Sequence, residues 1–203
     1  MTVLYRDAHL CVTAVRVSDP QPGDKETLAD AFGCEYAESL YVRTPERMRE
    51  SVCAALLLYD TLKLCGFSPS RVIRGRYGRP SFADGGPDFS LSHDGGVAVC
   101  SLCTGSTGVD VTQVSRSGRI KSFDDFARRF MSDAEAEELA AAPQGDVQRR
   151  FATLWADRES ASKLRGGPLA DSFGKPIDNG LHFLRFSLSS PAGECRVSVC
   201  FEQ

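Results

Sequence analysis

Apolar residues recur along this chain with two periods, and the switches between them mark out its elements. A valine-rich alternating run from His9 to Val17 predicts a first strand, and Pro20, Pro22 and Gly23 predict the loop behind it. Residues 25–40 carry weak helical character. The period then becomes helical. Thr44 stands where an N-cap belongs and Pro45 at the first helical position. Met48, Val52, Leu56 and Tyr59 carry this helix to about Cys65, where Gly66 stops it. Residues 71–76 read as a short strand, and 77–82 and 83–87 as loops. Asp88-Phe-Ser-Leu-Ser-His-Asp94, then Gly95-Gly96, then Val97 to Cys103 predicts a hairpin.

Gly105 and Gly108 mark a boundary, after which the elements begin again. Val109 to Val114 reads as a short strand and 115–121 as a loop. Helices are predicted over 123–130 and, capped by Ser132, over 133–142 before Pro143. Asp146 is placed as the cap of a long helix whose one buried face carries Phe151, Leu154, Trp155 and Leu164, and Gly166-Gly167 ends it. A loop over 166–179 and strands near 182–189 and 195–202 complete the chain.

The two stretches echo one another. Gly78-Arg-Pro80 is followed by Phe89-Ser-Leu-Ser92, a turn and Val97 to Leu102. Gly174-Lys-Pro176 is followed by Phe186-Ser-Leu-Ser189, a turn and Arg196 to Phe201. A long helix precedes each. The expected fold is therefore α+β: a pseudo-twofold duplication of two similar helix-plus-antiparallel-strand halves, 1–105 and 106–203, with an active-site cleft between them.

Composition narrows the function. The 203 residues are 42% hydrophobic with a net charge of −3, enough for a real core and not the charge of a nucleic-acid surface. No apolar run approaches the ~20 residues of a membrane span, and Met1 to Asp7 lacks the apolar stretch of a signal peptide, so a cytoplasmic protein with reduced thiols is expected. Eight cysteines are present. Cys100 and Cys103 spell CxxC, but in an alternating strand residues three apart face opposite ways, so buried small hydrophobes are expected and not a metal or redox site.

Few residues offer chemistry. Glu159 and Lys163 are four apart and stand on one side of the last long helix. By itself such a pair is a solvated ion pair worth a few tenths of a kcal/mol. Ser92 and His93 lie beside the hairpin turn, and Asp110 follows Gly108-Val. Each alone is an ordinary turn or cap residue.

Taken in order, Gly78-Arg-Pro80, Phe89-Ser-Leu-Ser-His-Asp-Gly95, Gly108-Val-Asp110, Phe130-Met-Ser-Asp-Ala-Glu135 and Trp155-Ala-Asp-Arg-Glu-Ser-Ala-Ser-Lys163 resemble the motifs of the surfactin-type (Sfp-like) 4′-phosphopantetheinyl transferases. The family patterns are approximately GKP, F-N-x-S-H-S-G, G-x-D-x-E, F-x-x-x-E and W-x-x-K-E-x-x-x-K. The resemblance covers about residues 44–175, and the duplicated architecture is also the family's. It implies Mg²⁺-dependent transfer of the phosphopantetheine arm of coenzyme A to a serine of an acyl- or peptidyl-carrier protein, releasing adenosine 3′,5′-bisphosphate. It places Asp110, Glu159 and Lys163 at the reacting centre. Asp110 and Glu159, with Thr112, fall at the metal. Arg49, Arg79, Pro80, Ser92, His93 and Lys163 fall on coenzyme A, and Glu135 matches an acid near the site. The partners implied are coenzyme A and the carrier, with no nucleic acid and no membrane, and two fused halves would make the monomer self-sufficient.

Three departures follow from the same comparison. Thr112 stands where the family has a second acid, and Arg158 where it has the lysine before Glu159. The segment before residue 44 lacks an evident basic cluster for the 3′-phosphate. The alternative function is therefore a non-catalytic coenzyme A or carrier-protein binding homologue with a degraded metal site. The helix at 45–65 and the loop at 115–121, with Arg116, Arg119 and Lys121, offer a surface for an acidic carrier.

Overall fold

The computed structural model describes residues 1–115 and 120–202, so Arg116 and Arg119 lie outside the described residues. The architecture is α+β, with helices packed on antiparallel sheets. The chain runs β1 (Thr2–Arg6), β2 (Leu10–Arg16), α1 (Asp24–Phe32), α2 (Cys34–Tyr41), α3 (Pro45–Cys65), β3 (Val72–Arg74), β4 (Pro80–Phe82), β5 (Asp88–Asp94), β6 (Val97–Cys103), β7 (Thr107–Gln113), α4 (Phe123–Phe130), α5 (Asp133–Ala140), α6 (Val147–Arg165), β8 (His182–Ser190) and β9 (Gly193–Phe201). Strands order as β1-β2-β6-β5 in one sheet and β7-β9-β8 in another, while β3 and β4 pair alone.

Most predicted elements stand where the pattern put them, with differences. Thr2–Arg6 forms an edge strand on β2, and Pro80–Phe82, expected as loop, pairs with β3. A 3-10 turn, Leu169–Ser172, interrupts the predicted loop after α6. Asp146 occupies the N-cap position of α6 but makes no capping bond; its carboxylate accepts from Arg149 Nη1 at 2.9 Å instead. Ser132 does cap α5, in a reciprocal box with Glu135.

The inner faces of the two larger sheets share one core. Val12 of β2, Val99 of β6, Val109 and Val111 of β7 and Val197 and Val199 of β9 meet there, each side chain worth about 1.5–3 kcal/mol of burial. The outer face of the first sheet packs on α1–α3 through Phe89, Ala98, Cys100 and Leu102. Cys100 and Cys103 thus fall into opposite cores, as the alternation of a strand requires. Helix α6 lies over the outer face of the second sheet. It is not the one-faced helix that the apolar spacing predicts. Asp157, Arg158, Ser160 and Ser162 are buried as well. Asp157 accepts from Ser198 Oγ at 2.6 Å and from Arg185 Nε at 2.9 Å, which ties α6 to β9 and β8.

Two edge strands close against each other in an unusual way. The N–H groups of Thr107, Val109, Val111 and Gln113 on β7 donate to the side chains of Asp88, Ser90, Ser92 and Asp94 on β5, at 2.9, 3.0, 3.2 and 2.8 Å. Side chains thereby supply acceptors that a neighbouring backbone would otherwise supply, and the β7 edge is covered. This needs every second residue of β5 to be polar and short, while Phe89 and Leu91 turn to the α3 core. The β5–β6 turn is Gly95-Gly96 at φ +59° and +79°, as a two-residue hairpin with both central residues left-handed requires.

Candidate active site

Three elements converge on one carboxylate. Asp110, on β7, is buried to 3% exposure. Its Oδ1 accepts from Lys163 Nζ at 2.7 Å and Ser92 Oγ at 2.9 Å, and its Oδ2 from the Thr112 hydroxyl at 2.9 Å. Lys163 also donates to Ser92 Oγ at 2.9 Å and to the Val109 carbonyl at 3.0 Å, so its ammonium protons have three acceptors. Ser92 is a hub, donating to Asp110 while accepting from Lys163 and from the Val111 N–H.

Gly108 allows this approach. A Cβ there would sit 2.0 Å from the Ser160 carbonyl oxygen and 2.6 Å from the Leu164 nitrogen, so only glycine lets α6 lie this close to β7. Lys163 can reach across β7 to β5 for that reason.

Glu159 stands one turn before Lys163 on α6 and accepts from Trp155 Nε1 at 2.7 Å. Burial pushes its carboxyl up to about 7, helped by the charge of Asp110 and opposed by Lys163. The recess these residues line has a volume of about 270 Å³ and takes in Ser92, His93, Asp110, Thr112, Glu159 and Lys163. His93 Nδ1 lies 3.1 Å from Glu50 Oε2 of α3. Burial holds its ring below the ordinary value, opposed by Glu50 and reinforced by the Lys163 and Arg43 charges.

The other predicted site residues are spread more widely. Arg79 and Pro80 line a second recess of about 230 Å³, and Lys163 lines both. Arg79 Nη2 donates to Asp88 at 2.5 Å and to the Thr107 carbonyl at 2.9 Å, while its buried Nε has no partner among the described residues. Arg49 is not brought to either recess. It is exposed and pairs with Asp19 at 3.2 Å. Glu135 is drawn away too, to Arg158, whose guanidinium is 1% exposed and also holds the Ser172 and Lys175 carbonyls. Arg158 therefore anchors α5 and the loop after α6. Arg158→Lys keeps the charge but loses the fork, and is expected to cost about 1–3 kcal/mol in urea unfolding. An unchanged midpoint would contradict the anchoring role.

Glu50 and the Trp155–Glu159 bond escaped the sequence reading. The four-residue spacing of Trp155 and Glu159 is a signal for the second; nothing local pointed to Glu50.

The acid pair suits a hard divalent cation. Asp110 and Glu159 line the same recess, and a cation between them would relieve the repulsion that, after burial, helps raise the Glu159 carboxyl. Among the described residues no group of three or more His, Cys, Asp or Glu is placed to hold a metal. The rest of a coordination shell would fall to water and substrate oxygens, which Mg²⁺ commonly accepts.

A family model for the 4′-phosphopantetheinyl transferase superfamily matches residues 106–196. A 4′-phosphopantetheinyl transferase of Bacillus subtilis is 27% identical over 169 residues, covering 79% of this chain and 73% of its own length. The 4′-phosphopantetheinyl transferase HetI of Nostoc sp. is 26% identical over 179 residues, covering 84% of this chain and 73% of its own. The family match takes in β7, which carries Asp110, and α6, which carries Glu159 and Lys163. On these grounds the chain is similar to 4′-phosphopantetheinyl transferases, both in its second half and along most of its length.

Proposed function

We propose that this protein moves the 4′-phosphopantetheine arm of coenzyme A onto a serine of an acyl- or peptidyl-carrier protein and releases adenosine 3′,5′-bisphosphate. The observation that carries this is the meeting of Ser92, Asp110 and Lys163 from three elements beside Glu159, in a chain similar to 4′-phosphopantetheinyl transferases. The carrier's serine oxygen attacks the β-phosphate of coenzyme A, so the protein's work is positioning and charge neutralisation.

Glu159 suits the role of general base, because its carboxylate lines the recess beside Asp110 and Lys163 and can take the serine proton directly or through a water. Lys163 lies where the two recesses adjoin, so its ammonium offsets charge on a pyrophosphate that bridges them. Asp110 and Glu159, with the Thr112 hydroxyl beside them, would hold Mg²⁺, which neutralises pyrophosphate charge when bound. Thr112 contributes no charge and orients Asp110 Oδ2. His93, Arg79 and Pro80 border the recesses where coenzyme A would lie, and Arg49 would serve its nucleotide end only after leaving Asp19.

Ser92 acts mainly by setting Asp110. In Ser92→Ala the Val111 N–H and Lys163 each lose an acceptor, which costs about 1–3 kcal/mol of stability. The Mg²⁺ concentration for half-maximal rate should rise. A variant with unaltered metal dependence would refute the positioning role.

The strand orders β2-β6-β5 and β7-β9-β8 support a duplication with halves 1–105 and 106–203. In each, an outer strand pairs with the second strand of a hairpin, and a long helix covers the sheet. The recess of about 270 Å³, lined from β5, β7 and α6, is then the cleft between the halves. A monomer would be self-sufficient.

Chromatography of a mixture with coenzyme A, an apo carrier and Mg²⁺ tests the reading. Adenosine 3′,5′-bisphosphate should accumulate and stop with EDTA. Coenzyme A binding without release would make the protein a non-catalytic binder.

A further inference from the structure

A pair of thiols lies on the far side of the first sheet, apart from the site described above. Along β2, Leu10, Val12 and Ala14 point into the core between the sheets, so Cys11 and Thr13 turn toward α3. Thr13 Oγ1 meets Thr61 Oγ1 of α3 at 2.6 Å, with both residues fully buried. Thr61 donates onward to the Leu57 carbonyl at 2.7 Å, which leaves Thr13 as the donor to Thr61.

This contact sets the register of its neighbours. Cys65 is four residues beyond Thr61, a rise of about 6 Å along a helix. Cys11 is two residues back from Thr13, about 6.6 Å along a strand. The steps match, so Cys65 is carried over Cys11. The two thiols interact: burial first, then the Cys65 thiol, pushes the Cys11 thiol up to about 12. Both line a recess of about 240 Å³. Cys11 is 2% exposed, whereas Cys65 is half-buried at the helix end. That end is held by Arg6 Nη2, which donates to the Leu64 carbonyl at 3.1 Å.

We propose that Cys11 and Cys65 are a modification site, a dithiol that a low-molecular-weight disulfide oxidises to an intramolecular disulfide tying the end of α3 to β2. Cys65, the accessible thiol, gives up its proton and attacks the oxidant, and one small thiol leaves. Cys11 then loses its proton and attacks the Cys65 sulfur. The protein S–S bond forms and the second small thiol leaves. Two protein thiols are oxidised and one small disulfide is reduced to two thiols. Burial of Cys11 makes the second step slow, so the bond forms over hours and not seconds.

The test uses the full chain with Cys34→Ser, which removes the exposed cysteine and with it crosslinking between copies. The protein is incubated with excess glutathione disulfide, alkylated, digested and mapped by mass spectrometry. The expected product links the Cys11 and Cys65 peptides, is two hydrogens lighter and is reversed by dithiothreitol. Its Tm rises by about 5–15 °C, as closing a long loop predicts. The same oxidation leaves the Tm of Cys65→Ser unchanged. A lasting glutathione adduct on Cys65 would overturn the proposal, as would a link from Cys11 to Cys100, which shares the α3-facing side of the sheet, or full alkylation of both thiols.

Discussion

Glutamine in place of Glu159 is expected to lower kcat by about 10²–10⁴-fold while coenzyme A binding survives. The amide oxygen can still accept from Trp155 Nε1, so α6 and the indole stay in place. What disappears is a group able to take the serine proton and half of the acid pair. Rates under saturating substrate, beside calorimetric titration with coenzyme A, separate the two. A variant with wild-type kcat would remove Glu159 from the chemistry. The same substitution carries a pH signature in the metal-free protein. The unfolded carboxyl loses its proton near 4.5, whereas the folded one keeps it to about 7. Between those values the folded state binds more protons, so stability falls as pH rises through that window, and the loss is complete above it. Urea midpoints in EDTA at pH 5 and pH 8 should show this fall in the parent and a smaller one in Glu159→Gln. Parallel slopes would contradict the raised value.

Alanine at Gly108 is expected to cost about 3 kcal/mol or more and to abolish turnover in whatever fraction remains folded. The added methyl carbon would lie 2.0 Å from the Ser160 carbonyl oxygen and 2.6 Å from the Leu164 nitrogen, both of them α6 backbone, so no side chain can swing aside. Relief requires α6 to lift from β7. That movement withdraws Lys163 from Asp110 and Ser92, whose contacts are 2.7 and 2.9 Å, and carries Glu159 with it. Denaturant unfolding measures the first effect and turnover per folded molecule the second. A stable, active Gly108→Ala protein would show that the close packing of α6 on β7 is dispensable. The glycine two before Asp110 thus has a packing reason, separate from any role of the aspartate.

The long elements were legible because their signals are local. Pro45 and Gly66 bracket α3, Ser132 caps α5, and Gly95-Gly96 between alternating runs gives the β5–β6 hairpin. Thr2–Arg6 was missed since an edge strand with one paired side needs no clean apolar alternation; its residues are exposed or half-buried. The buried polar residues of α6 hid its second packed face. Asp157 and Arg158 are charged, and the partners that satisfy them in the interior, Ser198, Arg185 and Glu135, come from distant sequence. For the candidate site, the order and spacing of the motifs put Ser92, Asp110, Glu159 and Lys163 in one group, and these four side chains line one recess. Their partners were not readable: that Ser92 spends its hydroxyl on Asp110 and Lys163 depends on β5 meeting β7 through side chains. Arg49 stayed apart for a similar reason, as Asp19, thirty residues earlier, claims it in the folded chain.

The most direct test is the intact mass of an apo carrier protein after incubation with this protein, coenzyme A and Mg²⁺, with Glu159→Gln and EDTA samples beside it. The account predicts that the carrier gains the mass of one phosphopantetheine arm, and that the gain is lost in both controls. A carrier whose mass is unchanged across several acidic carriers, with coenzyme A bound to the protein, would contradict it.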